Sequence, residues 1–196
     1  MQRMNMIYFQ DHVKHLRFYG HELYEYHHKE VEKRFNEALE ALGTPLDSDY
    51  IAFVTLRFKG KSDWVVCNNA LHSYERSVAR WFSESNPPPI SFVTSIESSQ
   101  ARLKDHAHII LRLSGSGHEY HDCELEALLR YEALRLEEIN HRNTDSVKVR
   151  MFPFCGNSYQ LGNHLEYICK TSSRHYNPLA RKALYTHPRN LLKTQL

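Results

Sequence analysis

The chain has 196 residues, 41% of them hydrophobic, which is enough to bury one core of ordinary size; no apolar run approaches the roughly 18 residues of a membrane span. The four cysteines, Cys67, Cys123, Cys155 and Cys169, are scattered without a CxxC pair, so a disulfide framework and a cysteine-rich zinc site are not expected, and a reducing, cytoplasmic setting is the default. The net charge of +2 excludes a strongly polyanionic or polycationic chain as a whole.

The opening stretch MQRMNMIYFQDHVKH lacks the apolar centre and small-residue cleavage site of a secretory leader. His21 to Gly43 reads as an amphipathic helix, with Leu23, Tyr26, Val31, Phe35, Leu39 and Leu42 on one face, Gly43 as its C-terminal cap and Pro45 as a stop. YIAFVTLRF (Tyr50 to Phe58) has the β-branched and aromatic content of a strand. Asn69 to Phe82 carries Leu71, Tyr74 and Val78 at helical spacing, and the NPPP run from Asn86 to Pro89 breaks the chain. ISFVTSIE (Ile90 to Glu97) is a second strand, the polar SSQARLK turns the chain, and DHAHIILRL (Asp105 to Leu113) is a third. Glu124 to Ile139 reads as a helix on Leu125, Leu128, Leu129, Leu136 and Ile139, Ser146 to Phe152 as a fourth strand, and Asn163 to Ser172 as a short helix with Asn163 near its N-cap. The remaining tail is basic and expected to be helical in part. From Val147 to Leu196 eight Lys and Arg residues face one acid, Glu166, a net of +7, whereas the first 146 residues hold 17 bases and 22 acids, a net of −5. Such a cationic quarter suits either a polyanion such as nucleic acid or a solvated tail.

The order from Tyr50 to Phe152 is β-α-β-β-α-β, which predicts an α+β fold of ferredoxin-like (RRM-like) type: a central antiparallel sheet with helices on one face. Right-handed crossovers make the first and third strands central. The expected organisation is a helical extension over residues 1–47, the sheet domain over 48–175 and a basic tail over 176–196.

The third strand begins with two histidines. Side chains two apart on a strand share a face, so His106 and His108 project together, Ala107 faces the packed side, and the histidine face is expected to be open. A hairpin over about Ser98 to Lys104 brings Glu97 beside His106. One carboxylate with two imidazoles leaves positions open on a divalent ion, as catalytic sites do. Asp105 alternates to the other face. Tyr167 and Lys170, in YICK, are three apart on a predicted helix and share its face. A nearby cation and a bound phosphate would favour the phenolate of Tyr167, otherwise an ordinary half-buried helix tyrosine.

Taken together, these residues resemble the HUH endonucleases, the Rep proteins that start rolling-circle replication of plasmids, phages and small single-stranded DNA viruses. His106-Ala107-His108 resembles the histidine-hydrophobe-histidine motif, FVTLRF (Phe53 to Phe58) the first motif, and YICK the Tyr-x-x-Lys of the third. The resemblance covers about Tyr50 to Ser173. With Tyr159 and Tyr176 eight and nine residues from Tyr167, it points to the single-tyrosine branch. No Walker motif occurs in the chain, which favours a prokaryotic plasmid, phage or mobile-element protein that uses its host's helicase and polymerase.

The resemblance implies metal-dependent nicking and joining of single-stranded DNA at a replication origin, including a hairpin form. Glu97, His106 and His108 would hold Mg²⁺ or Mn²⁺, Tyr167 would become joined to the 5′ phosphate, and Lys170 would offset charge. Arg57, Lys59, Arg112 and Arg174 are the expected DNA contacts, and Trp81 and Phe82 either stack on bases or pack in the core. A relaxase or single-strand transposase would share this chemistry. Two further alternatives are a non-catalytic RRM-like module, whose base-stacking aromatics the third strand lacks, and a metal hydrolase built on His118, His121 and Cys123.

Overall fold

The computed structural model describes residues 33–59, 64–83, 90–97, 106–113, 121–142, 144–156, 158–169 and 183–187. Residues 33–42 form helix α1, followed by β1 (Tyr50–Arg57), α2 (Trp64–Ser83), β2 (Ile90–Glu97), β3 (His106–Leu113), α3 (Asp122–Leu134), β4 (Val147–Pro153), α4 (Ser158–Cys169) and β5 (Ala183–His187). The strands form one antiparallel sheet in the order β4-β1-β3-β2-β5, with β1 and β3 central, as the β-α-β-β-α-β reading requires.

Strand alternation divides the sheet residues between two cores. On one face Ala52, Val54 and Leu56 of β1 and Ala107, Ile109, Leu111 and Leu113 of β3 pack against Leu71, Tyr74 and Val78 of α2 and Leu125, Leu129 and Ala133 of α3. These are the two crossover helices, on the side expected for them. Each Val, Leu or Ile among them, taken fully out of water, contributes about 1.5–3 kcal/mol before the cost of ordering it.

The opposite face was expected to be open, and here the structure corrects the sequence reading. Phe35, Ala38, Ala41 and Leu42 of α1 and Leu161, Leu165 and Ile168 of α4 pack on Ile51, Val93, Ile110 and Phe152 of the sheet. The physical reason is that Ile51, Val93 and Ile110 are apolar residues on the histidine face and need cover.

Arg112, the last residue of that face on β3, fastens α1. Its Nε donates to Asp49 Oδ2 at 2.8 Å and its Nη1 to the Leu42 carbonyl at 2.8 Å, at the C-terminus of the helix. Gly43 follows with φ +70°, and a Cβ there would lie 2.6 Å from Arg112 Nη1. Glycine is therefore required both for the left-handed cap and for the approach of the guanidinium.

Several boundaries differ from expectation. Helix α2 begins at Trp64, five residues before Asn69, and α3 at Asp122, two before Glu124. Helix α3 ends at Leu134, and the chain turns so that Ile139 bridges Phe58 while the Asn140 amide donates to the Arg57 carbonyl at 3.1 Å. Helix α4 begins at Ser158, so Asn163 is inside it rather than at its N-cap. Within the basic tail Ala183–His187 is a strand on β2, where part-helix was expected. No helix among the described residues is long and apolar enough to cross a membrane.

Candidate active site at the histidine pair

Across the sheet, His106 lies in register with Arg57 on β1 and Glu97 on β2; His108 lies in register with Thr55 and Ser95. The sequence expectation that Glu97 stands beside His106 on the neighbouring strand is thus met in the backbone register. The Glu97 side chain, Lys170 and Arg174 lie outside the described residues, as does Asp105.

His106 and His108 rise from the same face, with ring centres 4.9 Å apart and planes at 85°. His108 is 4% exposed and His106 is more open to solvent. Thr55 Oγ1 lies 3.1 Å from His108 Nδ1, which holds the ring in place and means that coordination by His108 would be made through Nε2. On the other flank of His108 the Ser95 hydroxyl is fully buried with no hydrogen-bond partner among the described residues. Thr55 and Ser95 were not singled out from the sequence, although both follow from strand alternation once the register is known.

Helix α4 brings Tyr167 over this pair. Its ring centre is 4.9 Å from that of His108 in an edge-on arrangement, and 6.1 Å from Phe53. Tyr167 is 38% exposed, so one side of the ring meets solvent. Tyr159 sits eight residues earlier on the same helix, about 12 Å along its axis. Tyr74 belongs to the other core, where burial first and Glu132 second hold its phenol far above the ordinary tyrosine range; its hydroxyl donates to the Leu129 carbonyl.

Beneath Tyr167 runs an aromatic stack that the sequence reading missed. Phe53 stacks on His164 at 4.4 Å and on His108 at 5.5 Å, and His164 tilts against Phe152 at 5.8 Å. Burial first, and the Arg150 guanidinium second, hold the His164 imidazole below its ordinary pKa. His164 is one helical turn before Tyr167, and that i, i+3 spacing was the available signal.

The donor chemistry fits a divalent ion in part. The ring centres of His106 and His108 are 4.9 Å apart with planes at 85°, near enough for two imidazoles to serve one ion. Among the described residues no three His, Cys, Asp or Glu side chains group closely enough to hold a metal; the expected third donor is Glu97.

Of the expected DNA contacts, Arg57 is partly exposed beside His106 in register, and Lys59 is exposed just past the end of β1. Arg112 is corrected: its guanidinium is bound to Asp49 and the end of α1, with its side chain 13% exposed, so its role is structural. Trp81 lies on the layer opposite the histidines, where its Nε1 donates to Glu132 Oε1 at 2.6 Å; the Phe82 side chain lies outside the described residues. His121 precedes α3 and its amide donates to Glu124 Oε2 at 2.9 Å, so the segment entering α3 is a helix cap; His118 lies outside the described residues. Searches for similarity to protein-family models, to curated proteins and to solved structures give no match for this chain.

Proposed function

We propose that this chain nicks and rejoins single-stranded DNA through a covalent 5′-phosphotyrosine on Tyr167, as a replication initiator does. The observation that carries the reading is the meeting of Tyr167 with the histidine pair, at ring-centre distances of 4.9 Å to His108 and 4.9 Å from His108 to His106. These residues come from motifs far apart in the sequence, and packing of Leu161, Leu165 and Ile168 on the sheet is what draws the Tyr167 end of α4 over β3.

In the proposed step Tyr167 Oη attacks the scissile phosphorus. The Oη–P bond forms as the bond from phosphorus to the 3′ oxygen breaks, and the phenol proton ends, in net, on that oxygen. The product is a 5′-phosphotyrosine and a free 3′-OH. Attack by a 3′-OH reverses the step and joins a strand, and because one phosphodiester replaces another no ATP is consumed. A divalent ion, Mg²⁺ or Mn²⁺, held by Glu97, His106 and His108 would, when bound, draw charge from a non-bridging phosphate oxygen. Thr55 keeps the His108 ring oriented, and Lys170 offsets the charge that accumulates on the phosphate. The free 3′-OH would feed a polymerase, and a helicase would be supplied separately.

The test is a denaturing protein gel after incubation with a labelled random pool of single-stranded DNA and Mn²⁺, with and without EDTA. The expected outcome is an SDS-stable adduct that needs the metal and is lost in Tyr167→Phe. An adduct that survives the change moves the nucleophile to Tyr159 or Tyr176. Absence of any adduct, with single-strand binding intact, favours the non-catalytic binding module.

A further inference from the structure

We infer that Lys148 and Arg150, on the outermost strand β4, form a phosphate track that carries the single strand away from the histidine pair; this rests on the reading that single-stranded DNA is the substrate. Register aligns Lys148 with Thr55 and His108, and Arg150 with Phe53 and Ile110, so both cations rise from the histidine face. Both are exposed, and β4 is the end strand of the described sheet. Two strand spacings separate Lys148 from His108, about 10 Å. Arg57, beside His106, stands on the strand between.

Among the described residues, geometry also restricts the alternatives. On the other side of β3, Ser95 and Val93 are buried, and farther down the face Ile51, Ile110 and Phe152 lie under α1 and α4. A strand that reaches Tyr167 can therefore leave over the corner held by Arg57, Lys148 and Arg150. Lys148 and Arg150 are two residues apart on a strand, about 7 Å, which suits neighbouring phosphates of an extended single strand. Lys148 pairs with Asp145 at 3.7 Å, with both side chains more than half exposed, and an ion pair of that kind yields readily to a phosphate.

The test is equilibrium binding of the full chain to a fluorescein-labelled dT20 in EDTA, read by anisotropy across a salt series. EDTA keeps the measurement independent of cleavage. Lys148→Gln/Arg150→Gln is compared with wild type and with Arg76→Gln/Arg130→Gln, which removes the same charge from exposed positions on the α2 and α3 layer. The expected result is that the slope of log Kd against log salt falls by about 1.4 in the first variant, about 0.7 per lost phosphate contact, and stays at the wild-type value in the second. An equal fall in both variants would reduce the effect to bulk charge and overturn the track. Wild-type slope in the first variant would overturn the track and leave the functional reading standing. Failure of the wild-type chain to bind dT20 at all would overturn the track, whereas the functional reading stands or falls on the adduct with the random pool.

Discussion

Thr55 is a small residue on which much of the proposed chemistry depends. Its Oγ1 is 3.1 Å from His108 Nδ1, and a ligating imidazole held at one nitrogen presents the other in a fixed direction. Thr55→Val keeps the shape and β-branching of the side chain and removes only the hydrogen bond. The expected cost in urea unfolding is about 1 kcal/mol, the net worth of one such bond. The expected loss in Mn²⁺ affinity by calorimetric titration is larger, about 10- to 100-fold. Unchanged Mn²⁺ affinity would show that the ring needs no such support. The histidine pair itself was legible in the sequence because alternation on a strand depends only on period. Thr55 and Ser95 were not, because their place beside His108 depends on register between strands, which no single strand encodes. His164 was missed for a different reason: its stacking partners Phe53 and Phe152 come from two strands, and its spacing of three from Tyr167 is the one local mark it carries.

At the scale of elements, the joint between α1 and the sheet is the place where one change should do most damage. Asp49 is fully buried and accepts from Arg112 Nε at 2.8 Å and from the Leu46 amide at 2.7 Å. Asp49→Ala removes the carboxylate and strands a guanidinium whose side chain is 13% exposed. The expected loss is about 3–5 kcal/mol, the cost of breaking a buried pair at one end. Asp49→Ala/Arg112→Met, which removes both charges, should recover much of it; equal losses in the single and double variants by urea unfolding would refute the buried-charge account. Gly43→Ala tests the same joint from the helix side: a left-handed residue without glycine costs about 1 kcal/mol, and the Cβ must also displace Arg112 Nη1 from 2.6 Å. The four strands of the β-α-β-β-α-β order could be read within about one residue, because their composition and alternation are local. Other features could not. Leu136 and Ile139 continue the helical spacing of α3, yet they serve the turn that bridges Ile139 to Phe58. Gly162 and Asn163 look like a break before a helix, and the burial of Leu161, Leu165 and Ile168 carries α4 through them. Strand β5 is five residues in a basic tail, and its pairing to β2 is a long-range event with little local signature.

For the molecule as a whole, helices on both faces of the sheet set the site at the edge of a second core, and this gives stability a pH dependence whose sign follows from His164. His164 stands in that second layer, stacked on Phe53 and facing Arg150 of β4, with Phe152 beneath it and Tyr167 one turn along its own helix. Burial and then Arg150 lower its folded pKa beneath the ordinary 6.5. Between that lowered value and 6.5 the unfolded chain binds the proton that the folded chain refuses. Stability therefore rises with pH through this window, loses the contribution as pH falls through it, and is flat in His164 above 6.5. His164→Gln removes the titration, so the unfolding free energy of the variant, measured by urea at intervals from pH 8 to pH 5, should fall less steeply below pH 6.5 than that of wild type. Arg150→Gln removes only the second cause and should give an intermediate slope. A phosphate seated on Arg150 acts in the same direction, because it offsets the charge that His164 feels. Bound dT20 should accordingly raise the His164 pKa, which can be followed by NMR titration of the His164 ring protons. The same titration joins the stability argument to the DNA track: an unshifted His164 with strand bound would place the phosphates away from Arg150.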